Sequence, residues 1–318
     1  MRVIDSHVHF PAAKIIDDGK LPGETPTKAV QDAGLTGASM PGAAPSPDPW
    51  IRQDKEKWER AWRFAKEQKL GPEEARRQWL GEFERYPYLK RVVFVTTGSN
   101  DFAGELVAAH PDQFIAYAHH DPQLPDALDR LEKGIRTKGL RGYKLLAPAI
   151  ERPINDRSFF PLWDLAQNLE IPLLVHFGIL GGAGGIADHI NMNPMMIHDV
   201  AKAFPKLPII IPHFGCGYVF ETLQLGWACP NIHIDTSGSN QWMRWMPYDL
   251  NLEKLFRKYR DTFGPQRILF GTDSSWFPRG FATAYLDEQI RAMVYTGYSE
   301  SETDDVLYGN AARLLKLA

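Results

Sequence analysis

The chain has 318 residues, 44% of them hydrophobic and 24% charged, with a formal net charge of -3. That length fits two domains or one large α/β barrel, and so mild a charge argues against nucleic acid or a membrane surface as a partner. No stretch approaches the ~20 apolar residues of a membrane span, and the start lacks the apolar run of a signal peptide. Cys216 and Cys229 are the only two cysteines. They read as free thiols, so the expectation is a soluble, cytoplasmic enzyme.

The first element is the apolar run Arg2-Val3-Ile4-Asp5-Ser6-His7-Val8-His9-Phe10. In a strand, residues i and i+2 share a face, so His7 and His9 project together and could hold a divalent metal. Residues 11–90 follow before the next strand, far longer than an ordinary barrel loop. This insertion begins Pro/Gly-rich at Pro41-Gly42-Ala43-Ala44-Pro45-Ser46-Pro47. It then turns helical, with Trp50, Trp58, Trp62, Phe64 and Trp79 among charges. It is expected to be a helical cap, either packing on the barrel rim or serving as a lid that supplies substrate contacts.

Beyond it, short apolar runs alternate with amphipathic stretches. The runs are Val92–Thr97, Phe114–Ala118, Leu140–Leu145, Pro172–His176, Ile209–His213, Ile232–Asp235 and Ile268–Gly271. Helix-like segments lie between them at Phe102–Ala109, Pro125–Thr137, Phe159–Leu169, Pro194–Phe204, Tyr218–Trp227, Leu252–Thr262 and Ala282–Tyr295. With the first run the strands number eight, which predicts a (β/α)8 TIM barrel spanning 1–318 as a single domain. A last helix, capped at Ser301-Glu302-Thr303-Asp304-Asp305 and running to Leu315, is expected to close the barrel. A doubly wound open sheet is the alternative, but it normally carries a Gly-rich turn after its first strand, where this chain has His7-Val8-His9-Phe10-Pro11.

Barrel enzymes place their chemistry at the C-terminal ends of the strands. Metal-type residues stand there in four of the runs: His7 and His9, His176, His213, and Asp273. Buried polar groups need partners, so five such residues on one rim point to a shared site. Imidazoles together with a carboxylate suit zinc, although other first-row metals take similar ligands.

Several stretches together resemble the amidohydrolase superfamily, and within it the amidohydrolase-2 branch that includes aminocarboxymuconate-semialdehyde decarboxylase. They are Ile4-Asp5-Ser6-His7-Val8-His9, Gly142-Tyr143-Lys144-Leu145, Val175-His176-Phe177-Gly178, Pro212-His213-Phe214-Gly215, Phe270-Gly271-Thr272-Asp273-Ser274 and Gly309-Asn310-Ala311-Ala312-Arg313-Leu314. The resemblance implies that His7, His9, His176 and Asp273 bind one divalent metal, most often Zn2+, with Mn2+ or another first-row metal as alternatives. It also implies that His213 is the catalytic histidine and that the protein forms a dimer or higher oligomer. Asp273 is expected to be catalytic as well, accepting a proton from water acidified by the metal. Lys144 is read either as a carboxylated bridge between two metals or as a contact to a carboxylate or substrate anion.

Among the remaining residues, Arg244, Trp276 and Arg279 lie in loops rich in aromatics, where they could stack a ring and hold a carboxylate. His189 is a further candidate near the substrate. His119 or His120 should point into the barrel, His233 is expected to be packed, and His198 to lie on a helix surface. The Gly178–Gly185 stretch lacks the Lys-Ser/Thr ending of a phosphate loop. The favoured activity is metal-dependent hydrolysis of an ester, lactone or amide of a small cyclic or aromatic, carboxylate-bearing substrate. Non-oxidative decarboxylation is the alternative.

Overall fold

A computed structural model of the chain describes residues 1–11, 68–178 and 190–317. The described strands are β1 (Val3–His9), β2 (Leu89–Thr96), β3 (Phe114–Ala116), β4 (Ala118–His119), β5 (Tyr143–Leu146), β6 (Leu173–His176), β7 (Ile209–Ile211), β8 (Ile232–Asp235) and β9 (Ile268–Leu269). All pair in parallel and in chain order, β1 to β3 in one ladder and β4 to β9 in the other. Helices lie in the connections: α1 (Pro72–Arg85), α2 (Asn100–Ala109), α3 (Ala127–Arg136), α4 (Phe160–Asn168), α5 (His198–Ala203), α6 (Val219–Ala228), α7 (Leu252–Phe263) and α8 (Thr283–Tyr295).

The two ladders form one ring. Only Tyr117 separates β3 from β4. Its amide donates to Phe94 O at 3.0 Å, while the next amide, Ala118, donates to Gly142 O at 2.8 Å. This pair of bonds hands the strand from β2 to β5, so the predicted run Phe114–Ala118 is a single stave with a kink. At the other seam the chain beyond β9 pairs with β1: Ser6 N donates to Phe270 O at 3.0 Å, Asp273 N to His7 O at 2.8 Å and His9 N to Ser274 O at 2.7 Å. The fold is the expected (β/α)8 barrel.

Side-chain alternation divides the core in two. Val92, Phe94, Tyr143, Leu145, Leu173, Val175, Ile209, Ile211, Ile232 and Ile234 face the helices. Ile4, Val93, Ile115, Leu174, Ile210 and Leu269 face inward and pack against Ala311, Leu314 and Leu315 from the C-terminal helix, which closes that end.

The C-terminal segment starts earlier than its sequence suggests. Ser299, not Ser301, is the cap: its hydroxyl accepts from Glu302 N at 3.2 Å and the Glu302 carboxylate accepts from Ser299 N at 2.7 Å. The helix α9 (Glu300–Asp304) then opens into one wide turn, Asp305–Gly309, before α10 (Asn310–Leu314). The wide turn leaves the Val306 carbonyl to accept from Phe270 N at 2.9 Å, tying this segment to the end of β9. The predicted helix over Pro194–Phe204 likewise begins with a tight turn, Pro194–Ile197, which precedes α5.

Of the predicted cap, Trp50, Trp58, Trp62 and Phe64 lie outside the described residues. Trp79 does not face the barrel mouth. It is fully buried on α1, edge-on to Phe94 and Phe277 with ring centroids 5.7 and 5.5 Å away. Glu82 on the same helix accepts from Phe281 N at 2.7 Å. This part of the insertion is thus packed on the barrel.

Candidate active site

The polar groups gather where the strands run out, at the end opposite the C-terminal helix. The expectation that His7 and His9 share a face rests on regular alternation, and β1 is not regular: its register with β2 shifts between Asp5 and Val8 and again before His9. The two imidazoles still meet, with centroids 5.2 Å apart. Asp273 completes the group. Its Oδ1 stands 3.2 Å from His9 Nε2 and 3.7 Å from His7 Nε2, and the three residues can offer one ligand atom each within 4.8 Å of one another.

His7 is fully buried, and its Nε2 has no hydrogen-bond partner among the described residues. A buried orphan nitrogen is costly unless something outside the chain satisfies it. Burial, only partly opposed by Asp235, lowers the His7 pKa to about 4, so the ring is neutral and its free lone pair suits a cation. Burial pushes the Asp273 carboxyl up, but the imidazoles of His213, His9 and His7 more than reverse this and hold it well below the usual carboxylate range. The donor set fits a divalent metal.

His213 and His176 continue the row of rings. His213 lies 5.0 Å from His7 and 5.0 Å from His176, centroid to centroid. The structure thus places His176 against His213, beyond the compact trio of His7, His9 and Asp273. His213 opens a left-handed turn in which five successive residues have positive φ: His213 57°, Phe214 49°, Gly215 86°, Cys216 48° and Gly217 93°. Such backbone costs on the order of 1–3 kcal/mol per non-glycine residue and persists only where its surroundings enforce it. Tyr259 enforces it here, its hydroxyl donating to Phe214 O at 2.6 Å. Gly215 has no room for a side chain, since a Cβ would lie 2.2 Å from Thr222 Oγ1.

Asp235, at the end of β8, is the functional residue that sequence reasoning misses. Its Oδ2 lies 2.8 Å from His7 Nδ1. Its Oδ1 accepts from His213 N at 3.1 Å, from Ser237 N at 3.0 Å and from the Ser237 hydroxyl. Burial raises its pKa, but the attraction and hydrogen bond of His7 prevail and keep it ionised. The signal was present in the alternation of β8: Ile232 and Ile234 face the helices, so His233 and Asp235 must face inward.

Lys144 lies on the inward face of β5, opposite His119. It is only 1% exposed, and burial lowers its pKa to about 8 against the pull of Asp235 and Asp273. His119 Nδ1 sits 3.0 Å from Lys144 O, whereas His120 turns outward, its Nε2 3.0 Å from Ala127 O and its ring over Tyr143. One of the pair therefore points into the barrel, as alternation requires. His233 is buried within β8, as expected, and His198, the first residue of α5, is half-buried.

The loop residues sort differently. Both terminal nitrogens of Arg279 donate to backbone, to Asp273 O at 3.0 Å and Thr272 O at 2.7 Å, so its guanidinium fixes the strand end that presents Asp273. Asp273 needs that support, having a left-handed φ of 56°. Arg244 is exposed beside the Trp245 ring, 5.7 Å from its centroid, and Trp276 is half-buried. His189 lies outside the described residues.

Solved structures share the architecture. An uncharacterized TIM-barrel protein from Bordetella bronchiseptica aligns with 19% identity over 99% of each chain at a TM-score of 0.65. A 5-carboxyvanillate decarboxylase from Novosphingobium aromaticivorans, with bound manganese, aligns with 14% identity over 99% of this chain and 97% of its own, TM-score 0.61. A protein from Acinetobacter baumannii assigned as a 2-pyrone-4,6-dicarboxylic acid hydrolase aligns with 13% identity over 100% of each chain, TM-score 0.58. At these identities the likeness establishes the fold. The sequence itself carries the rest: the family model described as amidohydrolase matches residues 4–317, and the chain belongs to that family of enzymes.

Proposed function

We propose that this protein is a metal-dependent hydrolase acting on an ester, lactone or amide of a small cyclic or aromatic, carboxylate-bearing molecule. The observation that carries the reading is the orphaned, fully buried Nε2 of His7 converging with His9 Nε2 on Asp273 Oδ1. His7, His9 and Asp273 would hold the ion, with His176 completing the set. A divalent cation here supplies Lewis acidity, acidifying water and polarising a substrate oxygen.

Asp273, whose carboxyl is held well below the usual carboxylate range and whose side chain is about one-third exposed, would accept the proton from water at such an ion. His213 stands beside the trio with Nδ1 engaged by Ser237, which leaves Nε2 to carry a proton to or from the substrate. Lys144 serves either as a bridge to a second metal or as a contact to a substrate anion. Arg244 and Trp276 remain candidates for holding the substrate's carboxylate and ring, and the insertion over residues 11–90 for a cap, its α1 part packing on the barrel. Zinc suits this donor set, and Cys216 and Cys229, both thiols, fit a cytoplasmic setting.

Decarboxylation is the second reading, favoured by one observation: most of the similar solved structures described by activity are aromatic-acid decarboxylases, two of them with bound manganese. One experiment addresses both readings. Elemental analysis of protein purified without chelator is expected to give about one zinc or manganese per chain, and none in His176→Ala. Lactones and aromatic carboxylates are then screened for hydrolytic product and carbon dioxide. Two metals per chain would make Lys144 a bridge. Carbon dioxide without hydrolytic product would establish the decarboxylase. A metal-free wild type would remove the mechanism.

A further inference from the structure

We infer that Asp235 is the positioning residue that makes this site able to accept a metal, by dictating which nitrogen of His7 carries the proton. The inference rests on the metal-binding reading above and extends it to a residue that binds neither metal nor substrate.

Donors and acceptors around Asp235 leave little choice. An ionised carboxylate only accepts. With His7 Nδ1 2.8 Å from Asp235 Oδ2, that nitrogen must carry the hydrogen. A neutral imidazole has one, so Nε2 is left with a bare lone pair, aimed at Asp273 and His9. The other oxygen of Asp235 does a parallel job at one remove. It accepts the single hydroxyl hydrogen of Ser237. Ser237 Oγ, 2.8 Å from His213 Nδ1, must then accept from it, as must Ser237 O at 3.1 Å. Both histidines are thus held with Nδ1–H toward β8 and Nε2 free, and one carboxylate accounts for both.

The same count predicts an inversion in Asp235→Asn. Three donors, His213 N, Ser237 N and Ser237 Oγ, already point at Oδ1, so the asparagine oxygen must take that place. Its NH2 group then faces His7 Nδ1, which becomes an acceptor. The His7 proton moves to Nε2, where Asp273 Oδ1 at 3.7 Å draws it, and the lone pair needed for a cation is gone. The side chain keeps its size and its other bonds, so the His213 arrangement survives.

The test uses the full-length protein with zinc alone as the probe, or manganese alone where zinc does not bind. Long-range 15N–1H spectra report which ring nitrogen is protonated, and competition with a chromophoric chelator gives zinc affinity. In the metal-free wild type, His7 and His213 are both expected as Nδ1–H. In Asp235→Asn, His7 is expected as Nε2–H with His213 unchanged, and zinc affinity is expected to fall by about 10–100-fold, the range for losing such a partner. Ser237→Ala is expected to leave the His7 proton and the zinc affinity as in the wild type. Wild-type zinc affinity in Asp235→Asn overturns the inference. If that variant fails to fold, the wild-type spectrum decides: His7 as Nε2–H overturns it, and Nδ1–H supports it. A wild type that takes up neither zinc nor manganese overturns the metal reading instead, because the spectra are recorded without metal.

Discussion

The two ends of this barrel use the same strands for opposite purposes. Toward the C-terminal helix, the inward positions are Ile4, Val93, Ile115, Leu174, Ile210 and Leu269, sealed by Leu314 and Leu315. One or two inward positions further along, the strands carry His119, Lys144, His176, Asp235 and, beyond the strand ends, His213 and Asp273. The floor is stabilised by apolar burial, which is non-directional and tolerates small shifts. The mouth instead needs each proton and lone pair in place, and it holds His213 and Asp273 in left-handed backbone that their surroundings must enforce. The molecule keeps its stability and its chemistry in separate layers.

Three substitutions would break or sharpen that division. The largest effect is expected at the mouth: His213→Ala should keep the metal and the melting temperature but lower turnover by on the order of 10²–10⁴-fold, the usual contribution of a general acid or base. Metal analysis beside steady-state kinetics on the first substrate found checks this, and near-normal turnover with full metal would move catalysis elsewhere. Next, Leu174→Ala in the floor should cost about 2–5 kcal/mol of stability by leaving a cavity. Zinc affinity of the folded protein should stay unchanged in chelator competition. A parallel loss of metal would show that the layers are coupled.

The smallest effect is a pH slope. Burial lowers His233 to about 4, so between pH 6.5 and 4 the unfolded chain takes up a proton that the folded one refuses. Stability from this group is complete above pH 6.5 and declines as pH falls through that window, by about 1.4 kcal/mol per pH unit at most. His119, lowered to about 3 by burial, acts in the same direction. Asp5 acts in the opposite one: burial raises it to about 7, so the folded state gains stability as pH drops from 7 towards 4. His233→Gln should therefore flatten the acid limb of stability against pH without moving its neutral plateau. Urea melts in the metal-free protein between pH 4 and 7 measure it. An unchanged acid limb would mean that His233 is protonated in the fold.

The eight-stave alternation was legible because strand and helix periodicity are local properties, carried by runs such as Ile209–Ile211 and Ile232–Asp235. So was the grouping of His7, His9 and Asp273, since a polar residue at the end of a buried strand needs a partner, and a shared site supplies one. The sequence alone was less reliable where a partner distant in the chain decides the outcome. Trp79 reads equally as rim packing or as lid until Phe94 and Phe277 are seen around it. Arg279 reads as a substrate clamp until the carbonyls of Thr272 and Asp273 engage its terminal nitrogens.

By itself, then, the sequence determined the barrel, the order of its strands and most of the residues that meet at its mouth. Tertiary structure alone decided how those residues are held: the bulged register of β1, the left-handed turn at His213, and above all the bond from His7 to Asp235 across 228 positions of chain. A hydrogen bond is directional and short, so its partners are fixed only once the ring of strands has closed. The hydrophobic pattern that closes the ring needs no such precision, and it is written along each strand.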